Sequence, residues 1–177
     1  RLSLVGSEMC IRDRMGKTLI LPVRWNLATA KPVLGTNPTE KLLTNGIRGS
    51  LKYSDFEWCS WADNDSVSFT IDLLKLEMLN TLILGCITNN GMAIHKPASV
   101  RVEVSDDNSK FREAVVQSFT SEEIFREGNF IENLSLKLGG TQARYVRVTA
   151  KGPGVCPASH VRPGQTSRIF FDEVMLE

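Results

Sequence analysis

An all-β fold, an antiparallel β-sandwich or jelly roll, is what this sequence predicts, on three observations. Apolar and polar residues alternate with period two over several short runs, as on strands that keep one face on a core. Clusters of Gly, Asn, Asp and Pro separate those runs, and no long helical pattern interrupts them. Taken in order, "VSFTIDL" (67–73) sets Val67, Phe69, Ile71 and Leu73 against Ser68, Thr70 and Asp72, and "TLILGCI" (81–87) follows as a further strand. In "SVRVEVS" (99–105) Val100, Val102 and Val104 share one face and Arg101 and Glu103 the other. "REAVVQSF" (112–119) and "FIENLSLKL" (130–138) come next. "RYVRVTA" (144–150) directs Val146 and Val148 inward and leaves Tyr145 and Arg147 together, so Arg147 is expected to be a packed, paired strand residue. "SRIFFDEVML" (167–176) closes the set. Turns are expected at "TNNG", "SDDNSK", "REGN", "LGGTQ" and "KGPG"; in the second of these the Asp-Asp-Asn run caps its own backbone.

The N-terminal stretch "LVGSEMCIRDR" resembles the read-through translation of a transposase adapter used in sequencing libraries, a scar carried by predicted proteins of metagenomic origin. Residues 1–14 are therefore read as a non-native tail without a fold. Residues 15–25 are read as a linker or the end of a preceding domain, and 26–177 as one domain. Without residues 1–14 the 21 basic and 20 acidic residues become 18 of each. A balanced chain with no basic run has no electrostatic footprint for nucleic acid. No apolar run reaches the roughly 18–20 residues of a membrane span.

Cys59, Cys86 and Cys156 remain outside the tail, with no C-x-x-C pair. That spacing suits neither a thiolate zinc site nor a disulfide framework; at most one bridge can form, and buried free thiols are the other reading. Cys156 and His160 stand four apart on a Gly/Pro loop with no orienting group or oxyanion hole in the sequence, so no Cys/His nucleophile is expected. Catalytic zinc is not expected either. Nothing places two carboxyls across a pocket, as glycoside hydrolysis requires.

Seven blocks in order carry a resemblance: "NLATAKPV", "LLTNGIRGS", a Trp-bearing loop, "SFTIDLLK", "PASVRVEVSDDNSKF", "ARYVRVTAK" and "IFFDEVMLE". Together they resemble the discoidin family, the factor V/VIII type C domains. The resemblance implies an eight-stranded jelly roll of galactose-binding-like type. The combination of "NGIRGS", "GVCPASH" and "FDEV" is similar to the C-terminal domain of bacterial family 20 glycoside hydrolases, the β-N-acetylhexosaminidases, whose catalytic carboxylates lie in a separate barrel.

Related modules hold a structural calcium ion between such a loop and a C-terminal carboxylate. Carried onto this chain, the candidate ligands are Asn45, Ser50 and Glu173, with backbone carbonyls near Leu43 and Arg48. Calcium takes six to eight oxygens, and Asn45 offers a neutral one where the family often has Asp. A hydrogen-bonded loop without metal is the alternative. For sugar binding the resemblance implies three loops at one end of the sandwich, "DFEWCSWADND", "ITNNGMAIHKP" and "GPGVCPASHVRPGQTS". The candidates are Trp58 and Trp61, Asn89, Asn90 and His95, and His160 and Arg162. An extended segment would direct Trp58 and Trp61 to opposite faces, one to the core and one outward. Hexosaminidase-type relatives carry a Trp in the second loop and another before the His of the third, where this chain has "NGMAIH" and Ser159.

The resemblance, taken with the loop residues, implies three functions. The first is a non-catalytic carbohydrate-binding accessory domain of a bacterial β-N-acetylhexosaminidase-type enzyme. It would bind glycans with galactose or N-acetylhexosamine, beside a catalytic domain of the same polypeptide, in the periplasm or outside the cell. The second is a structural domain packed on the catalytic barrel without binding sugar. The third is a discoidin module for a protein or lipid surface.

Overall fold

A computed structural model describes residues 7–12, 18–27, 42–44, 46–61 and 66–177, the first two segments by their backbone alone. Eight strands are present among these residues: β1 (Ser7–Arg12), β2 (Thr18–Leu27), β3 (Cys59–Trp61), β4 (Ser66–Asn89), β5 (Ser99–Ser105), β6 (Arg112–Ser118), β7 (Asn129–Lys151) and β8 (Ile169–Leu176). Helix is confined to α1 (Ser121–Ile124) and two single 3₁₀ turns at Leu42–Thr44 and Asn90–Met92.

β4 and β7 form one antiparallel ladder that turns a corner, so each strand serves both layers of a sandwich. The first half of β4 faces the second half of β7 (Phe69 opposite Val148, Ile71 opposite Val146), and the second half faces the first (Leu82 opposite Leu136, Leu84 opposite Leu134). The ladder slips between Asp72 and Glu77 and again between Leu79 and Thr81. Positive φ at Leu74 (66°), Gly139 (66°) and Gly140 (76°) bends the chain there, and the two glycines take that conformation without a Cβ penalty. Asp72 holds the corner by accepting from Leu74 N (2.8 Å) and from Arg144 through two nitrogens (2.7 and 2.9 Å). The predicted turn "LGGTQ" is thus a bend within a continuous strand.

One layer carries β2, the first half of β4, the second half of β7, β5 and β6; the other carries β3, β8, the second half of β4 and the first half of β7. The core lies between them. Val67, Phe69, Ile71, Val100, Val102, Val146 and Val148 from one layer share a single cluster with Leu82, Leu84, Leu134, Leu136, Phe171 and Val174 from the other. The alternation read in the sequence is therefore the inward face of a sandwich. Arg147 pairs with Glu103 (2.9 and 3.0 Å) and stacks on Phe111 (3.9 Å to the centroid). Asp107 Oδ1 accepts from Ser109 N and Lys110 N, and Asn108 has φ 60°, so this turn is built as expected.

Two strands begin upstream of Asn26. β2 pairs with β4 (Arg24 opposite Asp72 through Leu27 opposite Phe69), and β1 pairs with β2 and touches β8 at Ile11 opposite Leu176. Backbone pairing thus reaches into 15–25, read from the sequence as a linker or the end of a preceding domain, and into 1–14, where no fold was expected; an unpaired sheet edge offers its N–H and C=O groups to an extended neighbour.

Candidate functional site

The loop 46–58 is held down by a buried carboxylate. Asp172 has no exposed surface and accepts from Arg48 Nε (2.7 Å) and Gly49 N (2.9 Å) on Oδ2, and from Glu173 N (2.6 Å) on Oδ1. Arg48 Nη2 also donates to Asn133 Oδ1 (2.8 Å). Gly85 leaves room for this pair: a Cβ there would run into Asp172 Oδ1 and lie 2.5 Å from Arg48 Nη2.

Trp58 and Trp61 do point to opposite faces of the β8 layer, and both are buried. Trp61 enters the main core against Phe171 (centroids 5.7 Å apart). Trp58 enters a second cluster with Ile87, Ile94 and Phe170, and its Nε1 donates to Ser50 O (2.9 Å). The loop folds over the outer face of the sheet and supplies Trp58 and Tyr53 as its cover, so the expectation of an outward Trp fails. The exposed aromatic of this loop is Phe56, at 75 %. Alternation could not single it out, because 53–57 is a series of turns.

The second and third loops interlock beside that cluster. Met92 and Tyr53 both pack on it. His95 N donates to Arg168 O (3.0 Å), Arg168 N to Ala93 O (3.0 Å) and Ser167 Oγ to Ala93 O (3.1 Å). Asn89 is committed to the backbone, its Oδ1 accepting from Met92 N (3.1 Å). Asn90 is buried, its Oδ1 lacking a partner among the described residues. His95 is fully buried, edge-on to Phe125 and to His160 (each 5.0 Å between centroids). Burial lowers the His95 pKa to about 4; nearby His160 adds to the shift, and the Ile124 backbone opposes it without closing a well-formed bond to either ring nitrogen. His160 is nearly buried, and its Nδ1 accepts from Arg162 N (3.0 Å). Arg162 is exposed. Of the seven predicted sugar-site residues, Arg162 alone is fully at the surface and Asn89 partly so.

Cys59, Cys86 and Cys156 are free and buried. Burial pushes Cys59 up to about 12 and raises Cys86 and Cys156 as well. A thiol held protonated is a poor nucleophile. The third loop nevertheless brings Cys156 and His160 to His95, with one ligand atom from each within 4.8 Å of the others. The spacing argument against a metal missed this grouping because one member comes from another loop.

Of the calcium candidates, Asn45 lies outside the described residues. Ser50 is turned elsewhere: its N donates to Asp55 Oδ2 (2.7 Å), its Oγ accepts from Lys52 N (3.1 Å) and its carbonyl from Trp58. For Leu43 and Arg48 the expected ligands are backbone carbonyls, which the Arg48–Asp172 ion pair and the packing of the Leu43 side chain in the main core leave open. Glu173 fits best. Its Oε2 accepts from Gly46 N (3.1 Å), while its buried Oε1 has no partner among the described residues. Burial pushes its carboxyl up to about 8, against the Gly46 N–H and with help from Asp172. One carboxylate oxygen of Glu173 is thus without a partner among the described residues, while the Ser50 hydroxyl and carbonyl each already accept one hydrogen bond.

No helix among the described residues is long and apolar enough to cross a membrane. No curated protein matches this sequence. Solved structures share its fold. A family 32 carbohydrate-binding module from Clostridium perfringens, in complex with GalNAc-β-1,3-galactose, superposes with a TM-score of 0.55 at 15 % identity, covering 86 % of this chain and 92 % of that one. The C-terminal domain of a chitobiase from Bacteroides fragilis gives 0.52 at 17 %, with the same coverages of 86 % and 92 %. A fucose-binding module from Streptococcus pneumoniae gives 0.51 at 16 %, covering 89 % and 94 %. Residues 28–161 match the F5/8 type C domain. With that match spanning most of a two-layered β-sandwich, the chain belongs to the F5/8 type C, or discoidin, family.

Proposed function

We propose that this domain is a non-catalytic carbohydrate-binding accessory domain of a glycoside hydrolase, working in the periplasm or outside the cell. It would hold galactose- or N-acetylhexosamine-type units at the end of the sandwich where the three loops meet. The observation that carries this reading is Phe56, a ring 75 % exposed on a loop anchored by the pairing of Arg48 with buried Asp172. A ring face on a fixed loop is what the apolar side of a pyranose stacks on, and Arg162 on the third loop offers donors to hydroxyls. The GalNAc-β-1,3-galactose held by the superposed Clostridium perfringens module supports the ligand class. Likeness to a chitobiase domain supports a hexosaminidase-type parent. The benefit of such a domain is effective concentration, since weak contacts on a tethered module keep the enzyme near its polymer.

A structural role on a catalytic barrel is the second reading. It is favoured by the burial of Trp58, Trp61, His95 and His160 and by three exposed apolar side chains on one loop, Ile47, Leu51 and Phe56, which a partner domain could cover. Titration calorimetry against galactose, N-acetylgalactosamine, N-acetylglucosamine and chitooligosaccharides separates the two. Saturable binding weakened in Phe56→Ala and Arg162→Ala supports the module; silence from the folded protein supports the structural domain.

A further inference from the structure

We propose that His95, Cys156 and His160 bind one thiophilic late-transition-metal ion, Zn2+ by class, which ties the loop 152–168 to the segment that follows β4. The three ligand atoms lie within 4.8 Å of one another. A tetrahedral zinc with bonds of about 2.0–2.3 Å holds its ligand atoms about 3.4–3.6 Å apart, so the side chains need to draw together by about 1 Å. Side-chain rotation covers that distance, because Cys156 and His160 sit on a loop whose outer residues, 158, 159 and 161 to 164, are exposed.

The polar inventory points to a ligand. Both ring nitrogens of His95 and Nε2 of His160 are buried without a hydrogen-bond partner among the described residues. Buried polar atoms are satisfied in nearly all native sites, and a cluster of orphans calls for an explanation such as an ion. Two imidazoles and a thiolate form a borderline-soft donor set. They suit zinc or copper and reject calcium and magnesium, which want oxygen. Three protein ligands leave the fourth position to water.

Protons balance as follows. His160 Nδ1 accepts from Arg162 N, so the neutral ring carries its proton on Nε2. Ligation through Nε2 moves that proton to Nδ1 and releases Arg162 N–H to water, which the exposure of 161–164 permits. The Cys156 thiol proton leaves to solvent as the metal–sulfur bond forms. The Arg162 amide is therefore a reporter of binding that touches the metal itself nowhere.

The test is titration of the full chain, stripped of metal, with Co2+ followed by Zn2+. One equivalent of Co2+ should give thiolate-to-cobalt charge transfer with tetrahedral ligand-field bands, and Zn2+ should abolish both. Zn2+ should also raise the melting temperature and shift the Arg162 amide resonance. Cys156→Ser should remove the charge-transfer band, and His95→Phe, which keeps a ring against Phe125, should weaken Zn2+ binding at least about 100-fold, since even outer-shell losses cost 10–100-fold. Circular dichroism of both variants in chelator establishes that they fold. Absence of saturable Co2+ or Zn2+ binding by the folded protein would overturn the proposal. So would an unchanged spectrum in Cys156→Ser, which would place the metal on Cys10, Cys59 or Cys86.

Discussion

Replacing Asp172 by Asn keeps the shape of the side chain and alters its hydrogen bonding. The carboxylate accepts two donors on Oδ2, Arg48 Nε and Gly49 N, and one on Oδ1, Glu173 N. Asn supplies one acceptor oxygen and an NH2, so in either orientation a backbone or guanidinium donor faces another donor. Losing a hydrogen bond to a charge removes about 1.5–3 kcal/mol, and a buried donor left unpaired costs about 1–3 more. Breaking one partner of a buried ion pair costs about 3–5 kcal/mol by direct comparison. Arg48 is one-third exposed and keeps Asn133, so the lower end applies, about 3 kcal/mol. For a chain of this length that is a fall in melting temperature of about 6–12 °C. Urea denaturation followed by circular dichroism reads the free energy and thermal melting the temperature. The exposed Arg101–Glu113 pair is the internal control; Arg101→Ala should cost under about 1 kcal/mol. A cost below about 1 kcal/mol for Asp172→Asn as well would mean that the Asp172 network does not anchor the loop.

Gly85→Ala drives a methyl into the same network and should cost about 1–3 kcal/mol in urea denaturation, with Gly91→Ala, whose Cβ meets only ordinary contact, nearly neutral. For Glu173 the sign follows from a folded pKa of about 8 against an ordinary value of 4.5. The folded protein keeps a proton that the unfolded chain releases, so this stability is full below pH 4.5, declines as pH rises and is gone above about 8. Urea midpoints in chelator should show that slope, worth up to a few kcal/mol, and Glu173→Gln should flatten it. If calcium uses Oε1, Ca2+ at pH 8 should raise the melting temperature of the unaltered protein and leave Glu173→Gln unmoved. Phe56→Ala should change stability by no more than about 0.5 kcal/mol. Its sugar affinity by calorimetry should nevertheless drop about tenfold or more, equivalent to about 1.4 kcal/mol.

Much of the sandwich was legible because period two survives wherever one face is buried. Val67, Phe69 and Ile71, Val100, Val102 and Val104, and Val146 and Val148 all reach the core. Arg147 could be assigned as a strand residue because its neighbours on either side are apolar. The corner shared by β4 and β7 was not legible: a bend within a ladder and a turn between strands use the same glycines. Trp58 and Trp61 misled because alternation reports which face a residue takes and not what covers that face. A sign of the cover was present in β8, where Ile169, Phe170, Phe171 and Val174 are buried together, Phe170 on the outer cluster and Phe171 in the core. A continuous apolar run marks a strand buried on both sides. His95 could not be joined to Cys156 and His160 from spacing, since the Ala93–Arg168 pairing that joins their loops is tertiary.

The central claim is that sugar binds where the three loops meet, and amide chemical-shift mapping tests it most directly. With N-acetylgalactosamine or galactose added to the isotope-labelled chain, the account expects saturable shifts confined to residues 50–58, 89–96 and 152–168. Shifts centred on the opposite end, near 74–78 and 138–142, or none at saturating sugar, would contradict it.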